Sequence, residues 1–407
     1  MNIEKEIATL AKQVEAKDVS FPDITVKNGA LKLVPSYLNS KKIKKAILVV
    51  DDNTNEVAGK QLDTMLSETN IETKLIKLKP NKHGQVIADE QILVQLLVAT
   101  PEDADILIAV GSGTIHDVVR FVGHKMGKPF VSVPTAASVD GFTSKGAPLI
   151  LGGMKQTIQT ASPIAVFADI DILKAAPREM TAAGFGDILG KYTSLLDWNI
   201  SNLVGNEPYN RLAEAMTREC LEECVKNVDS ISNGDDEGIK ILIRALIDSG
   251  LIMLVLDFSR PASGAEHHLS HFWEMDLLKS DSKQLLHGAK VGVTTAIIVE
   301  LYKKLQQQLD INTLDDDSLH KEQLIKHWDK ITGFIEELPS PDEIKALLKK
   351  VGGPQTHDDL GIPISLVEES LNEAFKLRDR CTGLLLINEL KKNLLTYPLE
   401  TLAINGK

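Results

Sequence analysis

The histidines that could do chemistry are concentrated between residues 261 and 292, where four of the ten in the chain occur. His267 and His271 are four residues apart, so on a helix they share one face. His287 follows later in the span and could approach the same place from a second helix. Imidazoles that converge from separate helices, completed by a carboxylate, would form a divalent metal site. The alternative interpretation is a set of surface histidines or hydrogen-bonded core histidines.

Composition and charge limit the class of protein. The chain has 407 residues, of which 43% are apolar and 25% charged, as is ordinary for a soluble globular protein of two domains. The net charge of −12 argues against a general binder of nucleic acid or anionic membrane, because no basic face is available. We find no signal peptide, no membrane span and too few cysteines for a disulfide framework, so we expect a cytoplasmic protein.

Strands alternate with helices only in the first part of the chain. Short β-branched runs, several of them separated by helical patterns, occur at residues 43–50, 73–78, 105–110, 129–133 and 164–169. This alternation predicts a parallel sheet with right-handed crossovers. From Thr181 onward the apolar spacing is helical, with almost no strand pattern. We therefore predict an α/β nucleotide-binding domain over residues 1–178 and an all-α domain over residues 179–407.

The helical part contains six further predicted helices and one acidic residue of special interest. The helices are expected at residues 211–228, 238–257, 288–309, 321–338, 341–351 and 366–393, with exposed connections at 230–237 and 310–317. Asp187 stands at the predicted start of an apolar helix, where a capping role is the alternative to chemistry. The glycines on either side of Asp187 would let another segment of the chain come close.

Three segments at the ends of predicted strands are candidates for cofactor binding. The third strand runs into a glycine turn, GSGTI, whose backbone could approach a pyrophosphate at a helix N-terminus. The spacing is not the complete G-x-G-x-x-G, so a plain strand-to-helix turn is the alternative. Asp51 follows the first strand, where nucleotide-binding sheets hold a ribose, although acidic residues also simply end strands. Residues 134–146 form a loop of small and hydroxylated residues that leaves room for a flat ligand.

Five motifs occur in order along the chain: GSGTIHD, PTAASVDGFTSK, AAGFGDILGK, SGAEHHLSH and LLHGAKVG. Together they resemble the glycerol-1-phosphate dehydrogenases, especially the bacterial members. That group belongs to the superfamily of glycerol dehydrogenases, iron-type alcohol dehydrogenases and dehydroquinate synthases. The resemblance extends in register from Asp51 to Gly292. It implies a dehydroquinate synthase-like architecture, with the helical remainder of the chain as the second domain.

The resemblance implies roles for individual residues. Asp187, His267 and His287 would hold one divalent metal, which is nickel, zinc or iron in such enzymes. Asp140, Asp187 and His271 would line the substrate and carry the catalysis. The cofactor would be contacted by Asp51, Gly111, Ser112, Gly113, Thr114, Ile115, Thr135, Ala136, Ala137, Ser138 and Ser144. His268 also reaches His271 at helical spacing, but the family spacing of E-H-xxx-H favours His267 as the ligand. His116 departs from the family, whose members often carry an aliphatic or amide residue there.

The activity implied by the resemblance is reversible, NAD(P)H-linked reduction of dihydroxyacetone phosphate to sn-glycerol 1-phosphate for glycerophospholipid synthesis, carried out by a homodimer. Acidic Asp51 and Asp52 should repel a 2′-phosphate, which favours NAD(H) over NADP(H). Our own candidates for holding the substrate phosphate are Lys145, Lys191 and Lys290. The alternatives are a glycerol or alcohol dehydrogenase, a dehydroquinate synthase-like lyase, and a non-catalytic paralogue that would have lost a metal ligand.

Overall fold

The structure is a computed structural model that describes residues 3–16, 19–314, 320–402 and 404. The strands are β1 (Asp23–Lys27), β2 (Lys45–Val50), β3 (Glu72–Lys77), β4 (Ile106–Gly111), β5 (Phe130–Pro134), β6 (Gly146–Leu151), β7 (Met154–Gln159) and β8 (Ala165–Asp169). Six of them form one sheet in the order β1-β8-β5-β4-β2-β3, and all of its pairings are parallel. This arrangement confirms the parallel α/β fold class.

Two strand features were not predicted. The edge strand β1 is mostly exposed and carries charged residues at both ends, so it lacks the apolar run of a buried strand. The antiparallel hairpin of β6 and β7 stands apart from the sheet and begins Gly-Ala-Pro, a composition that is unusual in strands. A short bridge, from Asp89 to Ile150, connects the hairpin to the segment that precedes the helix at Glu90–Ala99.

The first helices flank the sheet: α1 (Ile3–Gln13), α2 (Val34–Ser40), α3 (Asp52–Thr54), α4 (Lys60–Ser67), α5 (Glu90–Ala99), α6 (Gly113–Met126) and α7 (Ile170–Lys174). The helical part consists of α8 (Arg178–Leu189), α9 (Lys191–Leu203), α10 (Arg211–Lys226), α11 (Val228–Asn233), α12 (Asp236–Leu256), α13 (Ala265–Lys279), α14 (His287–Gln308), α15 (Lys321–Glu336), α16 (Pro341–Val351), α17 (Ile364–Glu373) and α18 (Gly383–Leu390). In the part of the chain that is described, no helix combines the length and apolarity needed to cross a membrane.

Apolar side chains cover both faces of the sheet. In β2, Ala46, Leu48 and Val50 point to one core, while Ile47 and Val49 point to the other. Strand alternation sends successive side chains to opposite faces, and helices bury both faces of a parallel sheet. The carboxyl ends of the strands therefore form a single rigid edge, and the segments that follow β2, β4 and β5 begin there.

The helical part differs from the prediction in three places. The predicted helix 366–393 is two helices, α17 and α18, separated by a short 3₁₀ turn and an extended segment. Thr382 caps α18 by accepting a hydrogen bond from the Leu385 amide, so the second helix has its own start. The predicted loop 230–237 is largely helical, and Asp187 lies in the last turn of α8 instead of at a helix start.

The N-terminal helix packs away from the sheet. Ile7 and Leu10 of α1 join the core that α10 and α12 form in the helical part. The division of the chain at residue 178 into two domains stays a prediction. In the predicted connection 310–317, Ile311–Thr313 form a 3₁₀ turn, and residues 315–319 lie outside the described residues.

Candidate active site

A cavity of about 490 Å³ lies between the strand ends of the sheet and the helical part. Its wall includes the predicted site residues Asp140, Lys145, His267, His271, His287 and Lys290. From the predicted cofactor segments, Ser112, Gly113, Thr114, Ser138 and Ser144 line the same cavity. The structure therefore brings the glycine turn, the small-residue loop and the histidine cluster to one place. Asp187 and Lys191 are fully buried just beneath the wall.

Helices α8 and α14 approach each other closely because glycines stand at their contact. A Cβ atom added to Gly288 would lie 1.8 Å from the Ala183 carbonyl oxygen, and one added to Gly186 would lie 2.3 Å from the Gly288 carbonyl oxygen. No other residue type fits at either position. The close packing sets His287, the first residue of α14, beside Asp187 in the last turn of α8.

Asp187, His267 and His287 converge on one point from three helices. The Asp187 Oδ1 atom lies 3.6 Å from His267 Nε2 and 3.9 Å from His287 Nε2. One nitrogen or oxygen atom of each residue can be chosen so that all three lie within 4.8 Å of one another. Two imidazoles and a carboxylate at this spacing form a donor set that suits a first-row divalent ion. His268 points elsewhere, and neither of its ring nitrogens has a hydrogen-bond partner in the described chain.

The hydrogen bonds around this cluster leave the inward atoms free for a metal. His267 Nδ1 donates to Glu266 Oε1 at 2.7 Å, which directs the lone pair of Nε2 toward Asp187. Asp187 Oδ2 accepts from the Asp140 amide at 3.0 Å, whereas Asp187 Oδ1 is buried without a hydrogen-bond partner among the described residues. A buried carboxylate oxygen left unpaired is costly unless a ligand satisfies it. The residues present therefore fit a divalent ion.

Glu266 is a member of the site that sequence reasoning did not single out. It is fully buried and also accepts from the Gly264 amide at 2.6 Å and from Thr193 Oγ1 at 2.6 Å. These donors hold the carboxylate in one orientation and help to keep its pKa below the ordinary value, against the opposing effect of burial. The sequence feature that could have identified Glu266 is its position immediately before His267 in the E-H-xxx-H motif.

Lys191 joins the two carboxylates of the site. Its Nζ atom donates to Asp140 Oδ2 at 2.6 Å and lies 3.8 Å from Asp187 Oδ1. Ser249 Oγ also donates to Asp140 Oδ2, at 2.8 Å. Burial alone would lower the pKa of Lys191, but Asp140 and Asp187 more than offset that effect and the net shift is upward. Lys191 is thus a buried cation held by carboxylates, one turn after Asp187 in the chain.

A second charged cluster lies on the same wall. Glu274 Oε2 accepts from Lys155 at 2.8 Å and from Lys290 at 2.9 Å. His271 Nδ1 lies 3.7 Å from Glu274 Oε2, and the rings of His271 and His287 stack with 5.7 Å between their centroids. Burial and the neighbouring Lys155 keep the pKa of His271 well below its ordinary value, so its ring is neutral.

The glycine turn lies at the junction of β4 and α6 as predicted. A Cβ on Gly113 would lie 3.0 Å from Val139, so this residue lets the small-residue loop pack against the turn. Two buried side chains hold these segments. His116 contacts the Ser112 carbonyl oxygen and Ser132 Oγ, and Arg120 donates to the carbonyl oxygens of Gly141 and Gly146. Burial lowers the pKa of His116 to about 3, so it is a neutral hydrogen-bonding group.

Several predicted cofactor residues lie outside the cavity wall: Asp51, Gly111, Ile115, Thr135, Ala136 and Ala137. Asp51 follows β2, where its Oδ1 atom accepts from the Thr54 amide at 2.7 Å and forms a capping box. The neighbouring Asp52 pairs with Lys77 at 2.9 Å. Asp51 therefore caps the helix that follows β2, and its contact with a ribose stays a prediction.

Comparison with known proteins places the chain in a family. Residues 25–177 match the family described as iron-containing alcohol dehydrogenase. A glycerol-1-phosphate dehydrogenase [NAD(P)+] from Geobacillus thermodenitrificans is 46% identical, with 94% of this chain and 97% of the relative covered. One from Bacillus subtilis, with the same name, is 42% identical and 92% of each chain is covered.

The fold is shared with solved structures that are more distant in sequence. The glycerol dehydrogenase from Schizosaccharomyces pombe superimposes with a TM-score of 0.62 at 20% identity, over 86% of this chain and 82% of that one. This similarity supports the dehydroquinate synthase-like architecture. From the identity and coverage of the sequence relatives, the chain belongs to the glycerol-1-phosphate dehydrogenase family.

Proposed function

We propose that the protein is a metal-dependent oxidoreductase that reduces dihydroxyacetone phosphate to sn-glycerol 1-phosphate with NAD(P)H, and that the product enters glycerophospholipid synthesis. The observation that carries the proposal is the cavity in which a three-residue cation site faces the glycine turn. Asp187 Oδ1, buried and with no hydrogen-bond partner among the described residues, stands within 4 Å of two imidazole nitrogens. Relatives named glycerol-1-phosphate dehydrogenase match more than nine-tenths of this chain.

The chain's own residues account for the orientation of the reacting groups. A divalent ion held by Asp187, His267 and His287 would act as a Lewis acid on the substrate carbonyl. Asp140 presents its carboxylate to the cavity while Lys191 and Ser249 fix that carboxylate in place. It can accept a hydrogen bond from the substrate hydroxyl and orient the carbon that receives the hydride.

A proton must follow the hydride. The carbonyl oxygen gains negative charge as hydride adds to its carbon, so the product hydroxyl needs a donor. His271 lines the cavity, and its Nδ1 atom has no hydrogen-bond partner among the described residues. Because its ring is neutral, we assign it the proton relay, in which one ring nitrogen donates its hydrogen to the product oxygen while the other nitrogen takes up a proton.

The glycine turn and the small-residue loop would hold the dinucleotide. Helix α6 begins at the cavity wall beside Ser112 and Thr114, where its N-terminal amides could stabilise a pyrophosphate. Ser138 and Ser144 line the same cavity and would flank the nicotinamide. We propose a preference for NAD(H) over NADP(H), from the acidic pair Asp51 and Asp52.

A substrate panel with product analysis tests the function. Metal-loaded protein with NADH should reduce dihydroxyacetone phosphate, and the isolated ester should be the sn-1 enantiomer alone. A single enantiomer is expected because the metal fixes the oxygen and the nicotinamide fixes the face that hydride attacks. Formation of sn-glycerol 3-phosphate, or equal activity on free glycerol, would refute the proposal. The dehydroquinate synthase-like alternative predicts turnover of its phosphosugar substrate without net consumption of NADH.

Location and assembly are part of the proposal. The three cysteines are buried and free, as is usual in a reducing compartment, which supports a cytoplasmic protein. Helix α5 exposes Val94, Leu97 and Val98, the last of them 80% exposed, and this apolar face supports a homodimer. Light scattering of the purified protein should give twice the mass of one chain, and a monomer at micromolar concentration would contradict the dimer.

A further inference from the structure

The lysines of the site are already engaged with carboxylates. Lys145 Nζ lies 2.8 Å from Asp257 Oδ1, and Lys155 and Lys290 share Glu274. Lys191 is held by Asp140 and Asp187 beneath the wall. Each candidate lysine for binding the substrate phosphate would therefore have to share or exchange its partner before it could bind an anion.

Two arginines on the same wall contact neutral hydrogen-bond acceptors and, within the described chain, no carboxylates. Arg378 and Arg380 line the cavity from the extended segment that separates α17 from α18. Among the described residues, neither guanidinium has a carboxylate oxygen within 4 Å. Arg380 donates to the Ser263 carbonyl oxygen at 2.6 Å and to Ser259 Oγ at 3.0 Å, and Arg378 donates to Thr157 Oγ1 at 3.4 Å. All of these acceptors are neutral.

Both guanidiniums are largely removed from water, and they repel each other. Burial lowers the pKa of Arg378, and burial together with Arg378 lowers the pKa of Arg380 to about 10. Two adjacent cations with no carboxylate of the described chain in direct contact are unfavourable in such surroundings, although Glu207 and Glu266 partly offset the charge of Arg380 from a distance. A bound dianion would relieve the repulsion. The remaining N–H groups of the two forks suit phosphate oxygens, which arginine binds in bidentate geometry.

We propose that Arg378 and Arg380 form the binding site for the phosphate monoester of the substrate. This inference rests on the proposed function for the identity of the ester. It replaces Lys145, Lys191 and Lys290 as our preferred phosphate ligands, because each of those ammonium groups is already in contact with a carboxylate. In the chain, Arg378 and Arg380 lie outside the five motifs and within a segment for which the sequence predicted an uninterrupted helix.

The position of the pair favours the substrate over the cofactor as the source of the phosphate. Arg380 bonds to Ser263, four residues before His267, so it stands on the metal side of the cavity. The pyrophosphate of a dinucleotide is expected at another part of the wall, where α6 begins. The metal cluster and the arginine pair would then hold the two ends of one small ester, the carbonyl and the phosphate.

The test separates phosphate binding from catalysis and from folding. We would compare Arg378→Gln and Arg380→Gln with the unaltered enzyme. For each protein, kcat/KM would be measured with dihydroxyacetone phosphate and with unphosphorylated dihydroxyacetone, and the Kd for NADH would be measured by fluorescence. Each substitution should lower kcat/KM for the phosphate ester by about 10- to 100-fold, because a charge-assisted contact is lost. Activity on dihydroxyacetone and the Kd for NADH should change less than about threefold. Arg218→Gln, which removes an arginine paired with Glu214 on α10, is the matched control and should resemble the unaltered enzyme.

Other outcomes would overturn the inference. Equal losses on both substrates would assign the arginines a structural role, and a weaker Kd for NADH at unchanged KM would assign the phosphate to the cofactor. If kcat/KM for the phosphate ester fell in Lys145→Gln or Lys290→Gln but not in the arginine variants, the lysines would be the phosphate ligands.

A binding measurement keeps the inference distinguishable from the proposed function. Calorimetry with sn-glycerol 1-phosphate and with inorganic phosphate needs no turnover. If the unaltered protein binds these anions and the arginine variants do not, the subsite holds even where dihydroxyacetone phosphate is not reduced. If the unaltered protein reduces the ester and the variants bind the anions equally well, only the subsite is wrong.

Discussion

Two buried clusters of charge face the same cavity and have opposite balances. In the first, Lys191 lies within 4 Å of two carboxylates, Asp140 and Asp187, and the Oδ1 atom of Asp187 has no hydrogen-bond partner among the described residues. In the second, the Glu274 carboxylate forms ion pairs with two ammonium groups, those of Lys155 and Lys290. The first cluster carries one excess negative charge and the second one excess positive charge. A buried imbalance of charge is stabilised by a ligand of the opposite sign.

The difference explains how one small cavity could bind a metal and a phosphate ester together. Imidazoles and an unpaired carboxylate oxygen surround the negative cluster, so a cation is favoured there. The positive cluster and the two arginines, which have no carboxylate within 4 Å among the described residues, make their part of the wall favourable for an anion. The pKa shifts of the two lysines are consistent with these opposite charges. Asp140 and Asp187 raise the pKa of Lys191, whereas burial lowers the pKa of Lys290 despite its contact with Glu274.

The largest expected effect comes from removing the charge at the negative cluster. Asp187→Asn should release the metal and lower kcat/KM by at least about 1000-fold, because the ion contributes several kcal/mol of charge stabilisation. Metal content after gel filtration and initial rates would measure the change. Asp257→Asn removes the same charge from the cavity wall outside the cluster and should retain the metal. Full metal content in Asp187→Asn would show that the cluster is not the cation site.

Breaking the positive cluster should affect stability. Glu274→Gln leaves the buried Lys290 and the partly buried Lys155 without this counter-charge and should lower the free energy of unfolding by about 3–5 kcal/mol. Urea denaturation would measure it. Glu373→Gln is the control, since it breaks the exposed pair with Lys376 and should cost less than about 1 kcal/mol. A Glu274 variant as stable as the control would mean that the lysines are neutralised in another way.

Removing the charge that accepts the hydrogen bond from His267 Nδ1, the Glu266 carboxylate, should have an intermediate effect. Glu266→Gln keeps the shape of the side chain but loses the charge that orients the imidazole, so metal affinity should fall by about 10- to 100-fold. Competition with a chromogenic chelator would measure the Kd for zinc or nickel. Thr193→Val removes one donor to Glu266 and should give a smaller loss. An unchanged Kd in Glu266→Gln would leave this carboxylate a purely structural role.

The smallest effect is the number of protons released when the metal binds. This number distinguishes two possible sets of metal ligands: Asp187, His267 and His287, or His271, Glu274 and His287. Burial lowers the pKa of His267, but Asp187 and Glu266 more than offset this and the net shift is upward, so at pH 6.5 more than about half of His267 is protonated in the metal-free protein. Metal binding at Asp187, His267 and His287 should therefore release between about half and one proton. In the set His271, Glu274 and His287, all three pKa values are lowered, and almost no proton should be released. Calorimetry in two buffers of different ionisation enthalpy measures the number.

The parts of the fold that follow local patterns were predictable. The buried strands are continuous apolar runs, and the glycine turn after β4 has the residues that its geometry requires. Asp187, His267 and His287 were recognised through motifs that resemble a family, and the structure brings them together. The start of Asp187's helix was misplaced because glycines resemble helix boundaries, although here they permit a close approach of α14.

The pairings that give each cluster its charge were not predictable from local spacing. Lys191 and Asp140 are 51 residues apart, and Arg378 and Thr157 are 221 apart, so neither contact leaves a pattern in a short window. Lysines near the motifs therefore appeared available for phosphate when their carboxylate partners were unknown. The arginines were hidden inside a predicted helix, although Thr382-Gly383 after them is a usable indication of a new helix start.

The central claim is that the cation binds at Asp187, His267 and His287 and not at the neighbouring set that shares His287. Anomalous diffraction from crystals grown with zinc or nickel tests it most directly. We predict one strong peak about 2.0–2.2 Å from Asp187 Oδ1 and the Nε2 atoms of His267 and His287. A peak bound by His271 and Glu274, with Asp187 left uncoordinated, would contradict the account.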